Sequence, residues 1–354
     1  MKKFKKMTLG ISLAALVLVV FVGCGSNKKE ASFDKSLPTT GELKEVSIGF
    51  PSGGSDWPSG VLGVGKEYGY IDDYLKPLGY KAKYESFVGA APAIHEALVS
   101  DKLDYVLYAG FAGVLGKSKG INITLLSATT FDSSWKLIVS EKSGIKTLKD
   151  LKGKKIAYTR GAAPQAYLIK VLNEAGLTFD EIEGINATIP DGVAGVTTGT
   201  IDATVVVAGQ EKELVDKGVA QVIHFGFEAD PKTYYEPSVF VANTKSLKEN
   251  PDVAVAIYKG LLKARDKISE NPENYYELSA KRSGYDISVI KEIANPDIKA
   301  AFPLSLADQY INSLKNISQF ELDNKLAENK VDFKTFTDKS IGTQAEKEYA
   351  DEKK

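Results

Sequence analysis

The chain of 354 residues carries 45 Lys and Arg against 46 Asp and Glu, a near balance that argues against nucleic acid as a partner. Its single cysteine excludes an intramolecular disulfide and a cysteine-built metal site, so stability must come from packing. The length exceeds what one hydrophobic core usually serves, and two lobes are expected.

Residues 1–23 read as a secretory signal. Lys2, Lys3, Lys5 and Lys6 precede an apolar run from Met7 to Val22, which falls short of the roughly 20 residues of a stable membrane span. Phe21-Val22-Gly23-Cys24 resembles the bacterial lipobox, with Phe21 in place of the usual leucine, and the resemblance implies that Cys24 receives lipid and becomes the mature N-terminus. Without the four signal lysines the balance becomes 41 basic against 46 acidic residues, a net charge of −5. Residues 24–42 are polar, have no apolar period and contain Pro38, as expected of a tether.

Glu45 to Phe50 alternates apolar residues and predicts a strand, and Pro51 to Pro58 a loop before a helix reaching about Gly69. In that loop Ser55 offers a hydroxyl, Asp56 a charge or a helix cap, and Trp57 an aromatic wall, so all three are candidate ligand contacts. The neighbouring run from Gly60 to Glu67 nearly spells a phosphate-binding loop. Glu67 stands where magnesium needs a hydroxyl, however, and the glycines fall within a helix, so no nucleotide or other cofactor is expected. Lys81 to Val88 predicts a second strand, Gly89 to about Val99 a helix opened near Pro92, Leu103 to Tyr108 a strand ending at Ala109-Gly110, and Ile121 to Thr129 another. Strands alternating with helices imply a mostly parallel sheet.

After Thr130 the pattern restarts. Trp135 to Val139 predicts a strand, Thr147 to Leu151 a short helix, and the run from Lys155 a strand that breaks at Thr159-Arg160-Gly161 before a helix from Ala163 to about Ala175. This break has the physics of an anion seat. The first N–H groups of the helix lack intrahelical partners, Arg160 adds a positive charge, and Pro164 suits the first helical turn. An ordinary strand-to-helix turn is the alternative. Ile182 to Ile189 predicts a strand, Pro190-Asp191 opens a helix, and Ile201 to Val207 is a strand ending at Ala208-Gly209. Aligned on Asp104 and Asp202, two segments run alike: an apolar residue, aspartate, about five strand residues, then Ala-Gly. Two such lobes bind ligands where their strand ends face each other, because the crevice of an open parallel sheet lies beyond the carboxyl ends of its strands. From Phe240 the chain turns helical, with breaks at Asn271-Pro272 and Asn295-Pro296, a helix from Asp308 to about Asn329 and a turn around Phe333 to Phe336. Residues 341–354 are charged and aperiodic, and disorder is expected there.

Several segments together resemble the substrate-binding proteins of ABC importers, in the branch that serves sulfonate, nitrate, taurine and thiamine precursors. They are the lipobox, Leu148 to Ala157, the strand-loop-helix through Arg160-Gly161, Pro190-Asp191, Gly199 to Ala203, and Asn271-Pro272-Glu273. The resemblance covers about Glu45 to Asp338. It implies an α/β fold of the type II periplasmic-binding-protein kind: two α/β lobes, a ligand cleft between them, and a helical C-terminal part. Lobe 1 would be residues 43–130 plus 234–340, and lobe 2 residues 131–233. Two departures bear on the ligand. Gly161-Ala162-Ala163-Pro164-Gln165 lacks the serine and histidine of many sulfonate binders, and Ala208-Gly209-Gln210-Glu211 replaces their Asp-Pro. Asp56, Asp132, Asp191 and Glu211 beside one arginine suggest a zwitterion such as an amino-sulfonate, or a nitrogen-containing ring stacked on Trp57, Tyr108 or Trp135.

The expected function is therefore capture, by lobe closure, of a small anionic or zwitterionic solute, an aliphatic sulfonate or taurine-like molecule. The captured solute would pass to a permease and an ATPase. The protein would be a monomer, lipid-anchored on the extracytoplasmic face of the cell membrane. The ligand contacts expected are Ser55, Asp56, Trp57, Gly89, Ala90, Tyr108, Ala109, Gly110, Asp132, Arg160, Gly161, Ala162, Asp191 and Gln210. A nitrogen heterocycle resembling a thiamine-pyrimidine precursor is the alternative ligand. An enzyme on the same fold finds little support: the two histidines, His95 and His224, lie in no metal-binding spacing, no nucleophile elbow is present, and both read as structural. No catalytic residue or metal ligand is assigned.

Overall fold

The computed structural model describes residues 42–354 except 53–55, 133, 296 and 299. The expected signal, Cys24, the tether to residue 41, and Ser55 lie outside the described residues. Strand β1 (Lys44–Pro51) is buried at every position from Val46 to Phe50, as befits a strand covered on both faces. It is followed by α1 (Gly60–Glu67), α2 (Tyr70–Leu75), β2 (Tyr80–Phe87), α3 (Ala90–Val99), β3 (Tyr105–Ala109), α4 (Gly110–Ser118) and β4 (Ile123–Asp132). The second lobe runs through β5 (Trp135–Ser140), β6 (Lys155–Tyr158), α5 (Ala163–Glu174), β7 (Glu183–Asn186), α6 (Ile189–Thr198), β8 (Ala203–Val207), α7 (Lys212–Asp216), β9 (Ala220–Phe225) and α8 (Pro231–Tyr234). Strand β10 (Glu236–Asn243) then returns to the first sheet, and α9 (Thr244–Glu249), α10 (Pro251–Glu270), α11 (Pro272–Ser283), α12 (Ile287–Ile293), α13 (Asp308–Asp323), α14 (Phe333–Phe336) and α15 (Ser340–Asp351) complete the chain.

The two five-stranded sheets have equivalent orders, β2-β1-β3-β10-β4 and β7-β6-β8-β5-β9. In each, the strand next to the edge, β1 or β6, has two parallel neighbours, and the strand entered by crossing between sheets, β10 or β5, pairs antiparallel on both sides. The expectation of mostly parallel sheets is thus corrected: half the pairings in each are antiparallel, because β10 and β5 enter from the opposite end. Two apolar clusters sandwich the first sheet, one built around Ile48, Phe240 and Leu261 and the other around Val106, Phe111 and Val241. The second sheet packs on a cluster around Ile156, Leu168 and Val205, with a smaller one around Ile138 and Val206.

The repeated aspartates have a structural role. The Asp104 carboxylate accepts from the Ser47 N–H at 2.9 Å and the Ser47 hydroxyl at 2.8 Å, holding the start of β3 to β1. The Asp202 carboxylate accepts from the Lys155 N–H at 2.8 Å, holding the start of β8 to β6 in the same way. At the other end of the chain the disorder expected of residues 341–354 is overturned by α15. Ile341, Ala345 and Tyr349 recur every four residues and are buried, the Tyr349 hydroxyl donates to Asp266 at 3.0 Å, and Lys259 of α10 pairs with Glu348 and Glu352 at 3.2 and 2.5 Å. Three apolar residues among many charges were enough to set the helical face.

Candidate ligand cleft

A cavity of about 110 Å³ lies where the strand ends of the two sheets meet. The first sheet contributes Pro51 at the end of β1 and Ser52 after it, Val88, Ala90 and Ala91 after β2, and Tyr108 and Ala109 at the end of β3 with Ala112 beyond them. The second contributes Thr159, Ala162, Ala163 and Pro164 after β6, Ile189 after β7, Val207 at the end of β8, and Trp135 at the start of β5. No charged side chain stands among these described lining residues, and most are small and apolar.

Four helices begin on this cavity, α3, α4, α5 and α6, and the first three have no capping side chain. Gly89, Ala109 and Ala162 are the N-caps of α3, α4 and α5, and each lacks a side-chain oxygen for the first turn. Thr188 does cap α6 on the same wall, as Asn271 and Asp286 cap α11 and α12, while α1, α10, α13 and α15 also start without a capping side chain. Within the first turns, the N–H groups of Ala91, Ala112 and Ala163 have no acceptor among the described residues. Such groups, together with the positive ends of their helices, favour an anion. Two features hold the turns in shape. Ala90 adopts φ 48°, a left-handed conformation that costs a non-glycine residue about 1 kcal/mol. Gly161 adopts φ 73°, its N–H donating to Gln165 Oε1 at 2.7 Å, while the Arg160 N–H donates to Asn186 Oδ1 at 2.9 Å.

Of the expected contacts, the structure brings Ala90, Tyr108, Ala109 and Ala162 to the cavity wall, with Gly89, Gly110 and Gly161 beside them in the chain. It does not bring Arg160, which is exposed and contributes only its N–H to the loop. Asp56 is exposed and accepts from the Ser86 hydroxyl at 2.6 Å, and Ser59, not Asp56, precedes α1. Trp57 packs on the first lobe's core, close to Gly63. Asp191 accepts from the Thr188 hydroxyl at 2.6 Å at the head of α6, and Gln210 accepts from the Val207 N–H at 3.0 Å. Glu211 is committed to a buried pair with Lys136 at 2.5 Å. Trp135 and Tyr108, rather than Trp57, supply the aromatic wall.

Asp132 ends β4, opposite Glu236 in the crossover ladder and three residues before Trp135. It is half-buried, and burial pushes its carboxyl up from 3.8 to about 6. Its charge is felt by Tyr235 and by Tyr275 of α11, so it lies between the crossover and the helical part. The histidines stand apart from the lining. His95 packs behind the first turn of α4 with Nε2 3.1 Å from the Ala112 oxygen, and burial lowers it to about 4. His224 meets the Tyr167 hydroxyl at 2.6 Å.

A family model described as NMT1/THI5 like matches residues 89–275, a span that includes most of both cavity walls. The chain belongs to the NMT1/THI5-like family. A Bacillus subtilis (strain 168) protein named for aliphatic sulfonate binding is 25% identical over 347 residues, 97% of this chain and 98% of its own. Among solved structures, the alkanesulfonate-binding protein SsuA from Xanthomonas axonopodis pv. citri bound to MOPS is similar at TM-score 0.70 and 18% identity, covering 85% of this chain and 100% of its own. The desulfurization enzyme DSZB is similar at TM-score 0.65 and 14% identity, covering 86% and 99%. These structures share the fold of this family member. One is a binding protein and the other an enzyme, so the residues at the cleft must separate the two activities.

Proposed function

We propose that this protein is the extracytoplasmic solute-binding component of an ABC importer and that it captures a small sulfonate-like anion between its lobes without chemical turnover. The observation that carries this reading is the convergence of three uncapped helix starts on a cavity whose described walls bear no charged side chain. Each helix end contributes roughly 0.3–2 kcal/mol toward an anion, whereas micromolar affinity needs about 8 kcal/mol. Burial of a short apolar tail on Trp135, Ile189 and Val207, at about 25 cal/mol per Å², adds to the helix-end contribution. The absence of turnover is argued from the walls, which among the described residues hold no cysteine, histidine or carboxylate. Anchoring through a lipidated Cys24, a monomeric state, and delivery to permease and ATPase subunits are further parts of the proposal.

Titration of the protein with ethanesulfonate, taurine, nitrate and an aminopyrimidine tests it. Micromolar binding of a sulfonate is expected; binding of the pyrimidine alone would transfer the site to a flat ring held by Trp135 and Tyr108, and turnover of any ligand would overturn the reading. Ala162→Ser and Ala162→Asp both supply the missing cap of α5. The serine variant should keep sulfonate binding, and the aspartate variant should lose about a hundredfold or more through repulsion at close range. A zwitterion whose ammonium extends past Trp135 toward Asp132, which lies outside the lining, would be told apart there from a simple anion. A ligand ammonium favours the ionised form of Asp132, so taurine should bind more tightly as pH rises through about 6 and then level off. Ethanesulfonate, which has no ammonium, should show no such rise.

A further inference from the structure

We propose that the arm formed by α11 and α12 is a strap that holds the two lobes closed, and that Tyr285 at its tip is the positioning residue through which it grips lobe 2; this rests on the binding function proposed above. The root of the arm belongs to the first lobe. Leu278 of α11 is buried in that lobe's core, and Arg282 pairs with Glu67 of α1. Gly284, at φ 78°, ends α11 in the left-handed conformation that a helix stop favours, and Asp286 starts α12 by accepting from the Ser288 N–H at 2.8 Å. Tyr285 projects between these two stops.

The tip reaches the second lobe at a glycine. A Cβ built on Gly209 would stand 2.8, 3.0 and 3.4 Å from three carbons of the Tyr285 ring, and Gly209 itself has φ 99°. Only glycine lets the ring lie against the backbone there. Gly209 is two residues past Val207 of the cavity wall, and its N–H donates to Glu211 at 2.7 Å, the same carboxylate that pairs with Lys136. The contact therefore bears on the loop that closes one side of the cleft. Behind the tip, Val289 of α12 is buried and lines a cavity together with residues of lobe 2, and Lys212 faces Asp286 with opposite charge. That cavity, of about 170 Å³, remains between α12 and the surface formed by Lys136, Val215 and Val222. The arm is thus not packed along its length, and the grip is concentrated at Tyr285.

A contact made between the lobes only when they approach raises the closed fraction, and the apparent affinity scales with that fraction. The test uses the full-length chain in a Cys24→Ser background, with spin labels on Glu96→Cys in α3 and Ala194→Cys in α6, both exposed. Without ligand, Tyr285→Ala is expected to shift the interlobe distance distribution toward longer distances, and Tyr285→Phe, which keeps the ring, to leave it in place. Lys212→Glu, which reverses the charge facing Asp286, should move it the same way by less. Ethanesulfonate affinity should fall about tenfold in Tyr285→Ala. An unchanged distance distribution in both Tyr285→Ala and Lys212→Glu would overturn the strap. Because that readout needs no ligand, it decides the strap even if no sulfonate binds, an outcome that would count against the proposed ligand alone.

Discussion

The two sheets are laid out on one plan, with equivalent strand order and equivalent aspartates fastening the third strand to the first, yet the Ala-Gly pairs that end β3 and β8 do opposite things. In the first lobe Ala109-Gly110 passes directly into the nine-residue helix α4, whose first turn lies on the cavity. In the second, Ala208-Gly209 turns at φ 99°, α7 is only five residues long, and the turn meets Tyr285. Shared topology preserves the scaffold, whereas the conformation of one glycine decides whether the loop presents a helix end to a ligand or a flat seat to an arm.

The largest effect that would break this pairing is expected from Gly110→Ala. The added methyl would lie 2.5 Å from the Pro237 oxygen and 2.7 Å from Leu314 Cδ2, a close approach of α4 to the crossover strand that backbone cannot readily relieve. Overpacking of this kind costs about 3 kcal/mol. Gly209→Ala meets the ring of Tyr285, which can rotate away, and the strain of its backbone costs about 1–2 kcal/mol. Urea midpoints of the two variants measure the difference; equal losses would mean the two glycines are constrained alike.

A smaller asymmetry is expected between the aspartates. Asp104 accepts from the Ser47 N–H and hydroxyl and from the Ser246 hydroxyl at 2.7 Å, so Asp104→Ala removes three hydrogen bonds. Asp202 accepts from the Lys155 N–H, at a more exposed position. At roughly 1 kcal/mol net per bond, Asp104→Ala should cost about 3 kcal/mol and Asp202→Ala about 1 kcal/mol. Thermal unfolding of both variants checks the ratio, and an equal cost would show that the repeat is energetically as well as topologically symmetric.

Much of the framework was legible in the chain because apolar runs, glycines and prolines punctuate it locally. The turn at Gly161-Ala162 before α5 and the Ala109-Gly110 end of β3 could be placed by reasoning about strand ends and helix starts. Strand β10 could not: the chain reads as helical from Phe240, and the short apolar run from Val239 to Ala242 carries no local sign that it must cross from one sheet into the other and run antiparallel. Side-chain direction was equally hidden. Asp56, Asp191 and Glu211 were attractive because they are charged and near loops, but each is occupied by a neighbour that is not part of the cavity lining: Ser86, Thr188 and Lys136 respectively. Trp135 and Val207 reach the wall because they begin and end adjacent antiparallel strands, a relation that exists only after the sheet has formed.

Arg160→Ala sets the smallest expected effect against the whole comparison of walls. Its side chain is exposed and outside the cavity, and the one hydrogen bond it supplies to the loop comes from its backbone N–H, which alanine retains. A solvated charge that touches no ligand is screened within a Debye length of about 8 Å at physiological salt, and its removal should change sulfonate affinity less than about twofold. The measurement is a calorimetric titration at two salt concentrations beside Ala162→Asp, which sits on the wall itself. If Arg160→Ala instead weakened binding tenfold, the guanidinium would have to reach across the mouth in the bound state. Lobe 2 would then recognise the anion with a mobile charge while lobe 1 used fixed helix ends. A result below twofold leaves both walls working through the backbone, in keeping with the alanines that line the cavity on either side.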